Sequence, residues 1–356
     1  MGLPFLASDA AAAPGYRPAC KVEAAVSGGG GGLLDMAASL LGASQADPWA
    51  EHLRGIDLVS APAPFLDTCR IELSGGDGAP EVALGDKLNI KLGYGDILNP
   101  VFSGEVAAIA GGDRRGLTLR LASPALALAR LRQNASFEQR GLGDLLRAWA
   151  GEAGLAPGSL DGGPDLPFLA VDDRRSAWEW IAELARLAGL MAWVDGEGKL
   201  HCKAPGGAPA RTYRYGQDIL SLAHDERVPA LGEVTVNGEG AAGGQGSQAW
   251  SWLAKDPGPI RAGAGASPPK RLVRHGALRN HAAVAAMAAG LDAMGSRLAK
   301  RVAVSVPGSA ELGVGALFSL AGCPGGRGDG DWLVLRLRHR YARRLGFVTE
   351  LDGIAP

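Results

Sequence analysis

Apolar and polar residues alternate in several short runs, and this period of two restricts the fold more than any other feature of the chain. The clearest run is Lys87–Leu92, which places Leu88, Ile90 and Leu92 on one face of a strand. Half-buried strands of this kind predict a β-barrel or a β-sandwich. Three further runs between Ile56 and Leu128 alternate in the same way: Cys69–Leu73, Phe102–Ile109 and Leu117–Leu121.

The hydrophobic period changes at Leu142, where LGDLLRAWAGEAGL carries a single apolar stripe at helical spacing. A second helix is predicted after Ser176, because Ser176 and Glu179 form a capping box that supplies acceptors for the first backbone N–H groups. Gly189 stands where a left-handed C-terminal cap is expected. The sequence MAWVDGEGKLHCK then predicts a hairpin. The middle of the chain is therefore a small α+β module.

Alternation returns after Arg211. Asn280 is predicted to cap a helix from His281 to Arg297, since its side chain can accept from the first helical N–H groups. The stretches Gly238–Gly246 and Asp256–Pro269 are rich in Gly, Pro and Ser and predict mobile loops. The predicted strands are RTYRY, DILSL, GEVTVN, RVAVSV, ALFSLAG, WLVLRLRHRY and GFVTELDG.

This order of patterns predicts an α+β, mainly β fold in which two β-domains flank a small α+β insert. We expect the first β-domain at residues 1–130, the insert at residues 131–208, and the second β-domain, with one helix, at residues 209–356. Residues 1–55 are the least regular part. A strand from Cys20, the glycine run Gly28–Gly32 and helical spacing over Leu33–Leu41 indicate a helical, glycine-rich insertion there.

Composition excludes several classes of protein. The 36 basic and 37 acidic residues give a net charge of -1, so no global field attracts nucleic acid or anionic membrane. The four cysteines lie far apart, which predicts free thiols and assembly in a reducing cytoplasm, with one long-range disulfide left open. The first residues lack a basic region followed by an apolar run, and no stretch approaches about 18 apolar residues. We expect neither a signal peptide nor a transmembrane helix.

Two glycine motifs suggest ligand sites, but their context favours loops. Gly238–Gly243 matches the dinucleotide fingerprint Gly-x-Gly-x-x-Gly, yet the following Gly-Gln-Gly-Ser-Gln breaks the helix that a pyrophosphate site needs. Arg327–Asp329 is an Arg-Gly-Asp adhesion tripeptide within the turn sequence CPGGRGDGDW. Asp329 and Asp331 form too short an array for a calcium loop. We expect turns at both motifs.

No catalytic or metal-ligating constellation is evident. The acid pairs Asp172–Asp173 and Glu350–Asp352 are interpreted as a helix start and a solvated strand end. Trp178 and Trp180 are two residues apart on a helix, so they do not share a sugar-stacking face, and we expect one to be buried. We predict no catalytic, cofactor-binding or metal-binding residues and no cofactor. The six histidines form no close ligand pair: His52, His201, His224, His275, His281 and His339.

One basic concentration runs from Arg336 to Arg344. On a strand Arg336, Arg338 and Arg340 share a face, while His339 lies on the other as a packed or interface side chain. Two interpretations stay open: a solvated sheet edge that blunts unwanted pairing, or a surface that lines a lumen or contacts a subunit. Nucleic-acid binding is less favoured, since aromatic residues are not interleaved.

Four segments between about Ile56 and Gly353 carry a resemblance in their order and spacing. They are GDKLNIKLGYGD with FSGEVAAI and LTLRLASPALAL; LGDLLRAWAGEAGL; SAWEWIAELARLAGLMAWVDGEGKLHC; and VAVSVPGSAELGVGALFSLAG with DWLVLRLRHRY and GFVTELDG. Together they resemble the phage late control D family, the baseplate hub proteins of contractile tails, which is related to the base of the type VI secretion spike.

The resemblance implies two tail-tube-like β-barrels in each chain and a homotrimer that presents six barrels. Such a ring joins a hexameric inner tube protein to a trimeric central spike protein, and its other partners are baseplate proteins and the tape measure. It implies a virion or phage-tail-like particle, assembled in the bacterial cytoplasm and released by lysis, with no membrane and no specific nucleic acid as partner. The function expected is structural, not enzymatic.

Two alternatives come from other functional classes. A tail-associated enzyme that degrades the cell wall requires an acid whose replacement abolishes activity on peptidoglycan. A carbohydrate-binding adhesin is suggested by the eight tryptophans, and it requires glycan binding by the isolated protein.

Overall fold

The computed structural model describes residues 17–24, 47–112, 116–229, 232–239 and 260–356. Strands predominate among them, and the predicted α+β, mainly β class is confirmed. The glycine run Gly28–Gly32 and the helical spacing over Leu33–Leu41 lie outside the described residues.

The first β-region follows the alternation in its sequence. Leu88, Ile90 and Leu92 are buried on one face of their strand, as predicted, because a period of two matches the pleat. Asp47 caps the short helix α1, since its carboxylate accepts from Trp49 N–H at 3.0 Å. The elements are β1 (Pro18–Ala24), α1 (Pro48–His52), β2 (Leu53–Ser60), β3 (Thr68–Leu73), β4 (Lys87–Tyr94), β5 (Ile97–Gly112), β6 (Gly116–Ala122) and α2 (Ala125–Arg130).

The helical insert begins and ends its second helix as the sequence predicts. The capping box is present: Ser176 Oγ accepts from Glu179 N–H at 3.3 Å, and Glu179 Oε2 accepts from Ser176 N–H at 2.7 Å. Gly189 has a φ of 70°, the left-handed cap expected there. Trp178 is buried and Trp180 half-buried. The elements are β7 (Ala135–Gly141), α3 (Leu142–Glu152), β8 (Pro157–Leu160), β9 (Asp165–Val171), α4 (Ala177–Leu187), β10 (Met191–Val194) and β11 (Leu200–Lys203).

The last part of the chain holds the predicted helix and more strands than expected. Asn280 Oδ1 accepts from Ala283 N–H at 2.7 Å, so it caps α5 at the predicted residue. The elements are β12 (Thr212–Arg214), β13 (Ser221–Glu226), β14 (Glu233–Gly238), β15 (Arg261–Gly265), β16 (Lys270–His275), α5 (His281–Arg297), β17 (Lys300–Pro307), β18 (Leu317–Ala321), a 3-10 turn (Pro324–Gly326), β19 (Gly330–Ala342) and β20 (Gly346–Ile354).

The loop predicted over Asp256–Pro269 is wrong where the structure describes it, because it contains β15. This strand pairs with β14, which also pairs with β16, in a separate three-stranded sheet. Ala262 and Ala264 are half-buried beneath α5, and Gly263 between them faces the other side of the sheet. Pairing with Val234 and Val236, which are fully buried, therefore orders a segment whose own composition favours a loop.

Strands from both β-regions form one 12-stranded sheet. Its main path is β1-β4-β5-β6-β3-β2-β19-β20-β17-β13, with β18 beside β19 and β12 beside β18. The regions join where β2 pairs with β19, from Leu337 opposite Ser60 to Ala342 opposite Gly55. Two apolar cores lie against the sheet, one around Leu58 and Ile90 and the other around Val304, and Phe347 of β20 packs into the first. The sheet is thus continuous, and each region has a core of its own that is joined across the β2–β19 junction by Phe347.

The insert has a third core, and two of its contacts with the first β-region are close. The loop after β2 donates Ala63 N–H to Ala192 O at 2.8 Å, and its Phe65 carbonyl accepts from Trp178 Nε1 at 3.1 Å. At the other place, the turn between β10 and β11 packs on β5 so closely that Gly196 has no room for a side chain.

Substitution at this second contact should loosen the insert. A Cβ on Gly196 would lie 2.3 Å from the carbonyl oxygen of Pro100. The Cβ position is fixed by the backbone and the oxygen is a backbone atom, so no side-chain rotation relieves the clash. We expect Gly196→Ala to lower the free energy of unfolding by about 2 kcal/mol, measured by urea denaturation. The matched control is Gly151→Ala in α3, where a Cβ meets nothing within 4 Å; it should raise stability by about 0.5–1 kcal/mol. Equal stabilities of the two variants would contradict this packing.

Candidate assembly surface

The predicted basic run lies in the middle of the large sheet. Arg336, Arg338 and Arg340 share its open face, as expected from their spacing in β19. The interpretation as a solvated edge is wrong, because β19 pairs with β2 on one side and with β20 on the other. An edge cannot be recognised from a strand's own sequence when its neighbour is supplied by residues far away in the chain.

Acidic side chains of the neighbouring strands neutralise this run. Arg338 donates two hydrogen bonds to Asp57 of β2, with Nε–Oδ1 at 2.7 Å and Nη2–Oδ2 at 2.6 Å. Glu350 of β20 pairs with Arg340. Arg336 Nη1 lies 4.0 Å from Asp352 Oδ2. We call these six side chains the charged ladder: Asp57, Arg336, Arg338, Arg340, Glu350 and Asp352. Its paired charges offer little free positive surface to a polyanion.

The strongest pair in the ladder joins the two β-regions. The Arg338 guanidinium beside Asp57 holds the pKa of that carboxyl below its usual range. Both side chains are about one-third exposed, 38% and 34%, so solvent screens the pair. A bidentate pair of this exposure contributes about 1 kcal/mol. Asp57 was not singled out from the sequence, since nothing local to it signals a partner 281 residues away. Glu350 and Asp352, interpreted from the sequence as a solvated strand end, are instead partners of the basic run.

Removing Arg338 should weaken this junction in a pH-dependent way. The Asp57 pKa is depressed in the folded chain, so its stabilisation is present above the ordinary carboxyl pKa and disappears as pH falls through the folded value. We expect Arg338→Gln to lower the free energy of unfolding by about 1 kcal/mol at neutral pH. This difference in free energy of unfolding between the variant and the wild type should vanish at acidic pH. The matched control is Arg174→Gln, which removes a pair with Asp172 two residues away and should change little. A deficit independent of pH would contradict the assignment.

On the opposite side of the same strand, His339 is buried at 1% exposure, as its position in the pattern predicted. Its Nδ1 lies 2.9 Å from Thr349 Oγ1, which in turn accepts from Ser309 N–H at 2.9 Å. Burial lowers the pKa of His339 to about 4. The side chain is therefore neutral in the folded protein at physiological pH.

This histidine should make stability fall on acidification. The unfolded chain takes up the proton near the ordinary histidine value of 6.5, and the folded chain does so only near 4. The free energy of unfolding therefore rises by about 3 kcal/mol between pH 4 and pH 6.5, and this contribution is absent below pH 4. We expect His339→Gln to flatten the dependence between these pH values, measured from urea midpoints at closely spaced pH. The same slope in both proteins would show that His339 titrates freely in the folded state.

Of the two glycine motifs, the structure describes the Arg-Gly-Asp segment in full and only the first two residues of the fingerprint. Gly238 ends β14, and residues 240–243 of the fingerprint lie outside the described ranges. In the Arg-Gly-Asp segment the Asp329 carboxylate accepts from Cys323 N–H at 2.8 Å, so it closes its own turn. Asp331 accepts from the Ser319 hydroxyl at 2.5 Å. Both carboxylates thus serve the connection between β18 and β19.

The remaining candidates are dispersed. His201 is held within the insert: its Nε2 lies 2.8 Å from Asp195, and its Nδ1 accepts from Ser159 N–H at 3.0 Å. Asp172 binds Arg174. Within the ranges that the structure covers, no group of three His, Cys, Asp or Glu side chains is arranged to hold a metal ion. All four cysteines are free thiols: Cys20, Cys69, Cys202 and Cys323. Among the described helices, none has the length and apolarity to span a bilayer.

Comparison with known structures places this fold among tail proteins. No protein-family model and no curated protein sequence matches the chain. The tail protein from Neisseria meningitidis MC58 is similar over 95% of this chain and 97% of its own, with a TM-score of 0.66 at 15% identity. The 43 kDa tail protein of prophage MuSo2 from Shewanella oneidensis is similar over 85% and 94%, with a TM-score of 0.64 at 12% identity.

A third similar structure comes from the type VI secretion system. The E. coli c3393 protein, described as a component of that system with structural similarity to the T4 bacteriophage tail proteins gp27 and gp5, is similar over 86% of this chain and 74% of its own. Its TM-score is 0.57 at 10% identity. The fold expected from the sequence resemblance to hub proteins is therefore confirmed, while identities this low concern the fold alone.

Proposed function

We propose that this protein is the structural hub of a contractile phage tail or a phage-tail-like injection machine. The observation that carries the proposal is the fold, shared with tail proteins along nearly the whole length of the chain. The charged ladder and the buried histidine behind it pair with neighbouring strands of the sheet, which suits a structural role for these side chains. We therefore assign it a structural and not an enzymatic role.

The two β-regions support a role in joining a six-fold tube to a three-fold spike. Each has its own core, and they pair strand to strand within one chain, as neighbouring subunits of a ring would. We propose that residues 1–130 and 209–356 are two tube-like domains and that residues 131–208 form the insert. Three chains then present six such domains to a hexameric inner tube protein and three-fold symmetry to a central spike protein.

The particle supplies the remaining context of the proposal. Other baseplate proteins and the tape measure are further partners, and the hub assembles in the bacterial cytoplasm before the particle leaves by lysis. Free, mostly buried thiols suit assembly in a reducing compartment. The internal pairing of the ladder suits contact with other proteins better than capture of nucleic acid.

Native mass spectrometry tests the central element of this proposal. We expect a species of three 36.5 kDa chains, and a ring of three-fold symmetry by electron microscopy. Adding the tube and spike proteins of the same particle should cap the two faces of that ring. The control is the same measurement in high salt, which should leave an apolar, permanent interface intact. A chain that stays monomeric even with both proteins present would falsify the hub assignment.

A further inference from the structure

A groove of about 860 Å³ lies where the three parts of the chain meet. One wall is the loop after β2, the other is α4 with the end of α5, and the floor is formed by β13, β17, β20 and β19. The volume is that of a binding site for a few side chains. Its lining is mostly apolar and includes Phe65, Met191, Met294, Leu298, Leu335 and Ile354.

The groove is preformed. Its loop wall is fixed to the insert by the hydrogen bonds of Ala63 and Phe65 described above. A register shift between Val334 and Arg336 lets the apolar Leu335 line the groove. Phe65 stands at the groove with 68% of its surface exposed. A rigid apolar recess with an exposed aromatic residue binds a partner at low cost in conformational entropy.

Two cations of the groove form no ion pair. Arg186 and Arg301 line it and form no ion pair with a carboxylate in the described parts of the chain, although Arg301 Nε donates to Leu298 O at 3.2 Å. The carboxylates of the lining have other partners, namely a helix cap, Arg175 with His275, Arg227, and Arg336, which also lines the groove: Glu179, Glu183, Asp225 and Asp352. The complementary partner is an apolar side chain beside a free carboxylate.

The chain itself carries such a group. Five exposed large apolar residues of the described ranges have a carboxylate within two positions: Phe65, Leu84, Ile97, Leu220 and Val228. Phe65 belongs to the groove itself, and Glu226 near Val228 pairs with Lys300 at 3.2 Å. Asp86 near Leu84 accepts from Ala83 N–H at 2.7 Å, and Asp218 near Leu220 accepts from Arg214 N–H at 3.0 Å. Ile97 is 77% exposed at the start of β5, beside the tight turn between β4 and β5, and its neighbouring carboxylate is that of Asp96.

Its neighbour Asp96 forms no hydrogen bond or ion pair with another described residue. We propose that the β4–β5 turn of one copy of this chain inserts into the groove of the next copy, with Ile97 against Phe65 and Leu335. Asp96 then faces Arg186 and Arg301. This inference rests on the proposed trimer and identifies the residues at the contact between its subunits. Because the turn and the groove are different surfaces of one chain, the contact runs head to tail and can close into a ring.

Substitution of Ile97 tests the contact. Ile97→Arg removes the apolar side chain and places a cation against two others, so the concentration for half-assembly should rise at least about tenfold. Assembly is followed by native mass spectrometry and sedimentation over a range of concentrations. The matched control is Leu345→Arg, which alters an equally exposed aliphatic residue on the β19–β20 turn and should not change assembly. Both side chains are largely exposed, so both variants should keep the wild-type melting temperature.

A charge exchange tests the partner. Asp96→Arg and Arg301→Glu should each weaken assembly, and the double variant should restore it, since the pair is then reversed across the interface. A trimer that survives Ile97→Arg, as it would if a tube or spike protein fills the groove instead, overturns this inference and leaves the hub proposal standing. Equal loss with Leu345→Arg also overturns it. Wild-type chains that never associate contradict both proposals.

Discussion

Strand β19 lies between β2 and β20, and the rest of the structure depends on this placement. The β2–β19 ladder brings residues near the two ends of the described chain together and turns two sets of strands into one sheet. Closing so long a loop costs entropy, which backbone pairing offsets together with the Arg338–Asp57 pair and the packing of His339 on Phe347. The open face of that sheet then carries paired charges, and its other face carries the cores.

The position of the insert is the second feature on which the structure depends. It has its own core, yet it contacts the first β-region through the loop around Ala63 and through the turn at Gly196, and its helix α4 packs against α5. These contacts fix the insert against both β-regions. The groove exists because the loop after β2, the helices α4 and α5 and the strands of the large sheet meet there without filling the space between them. A recess of that origin is a natural place for a neighbouring protein to bind.

Much of the local structure was predictable. The strand runs, the capping box at Ser176, the cap at Asn280 and the left-handed Gly189 all follow from interactions within a few residues. The fold was reached through the order of segments, a resemblance that the solved tail structures support. The charge pairing on the open face of the sheet and the strand β15 were not predictable. Asp57 has an ordinary sequence context, and β15 is a strand only because β14 pairs with it.

The sequence alone determined the fold class of this protein: alternating runs around a helical middle region describe an α+β, mainly β protein. Those properties depend on side-chain period and composition, which each segment carries by itself. The tertiary structure decided that β19 is central and not an edge, that its arginines are neutralised, and that a groove opens beside Phe65. These depend on which distant strands meet, and pairing between strands far apart in sequence is set by the packing of the whole chain.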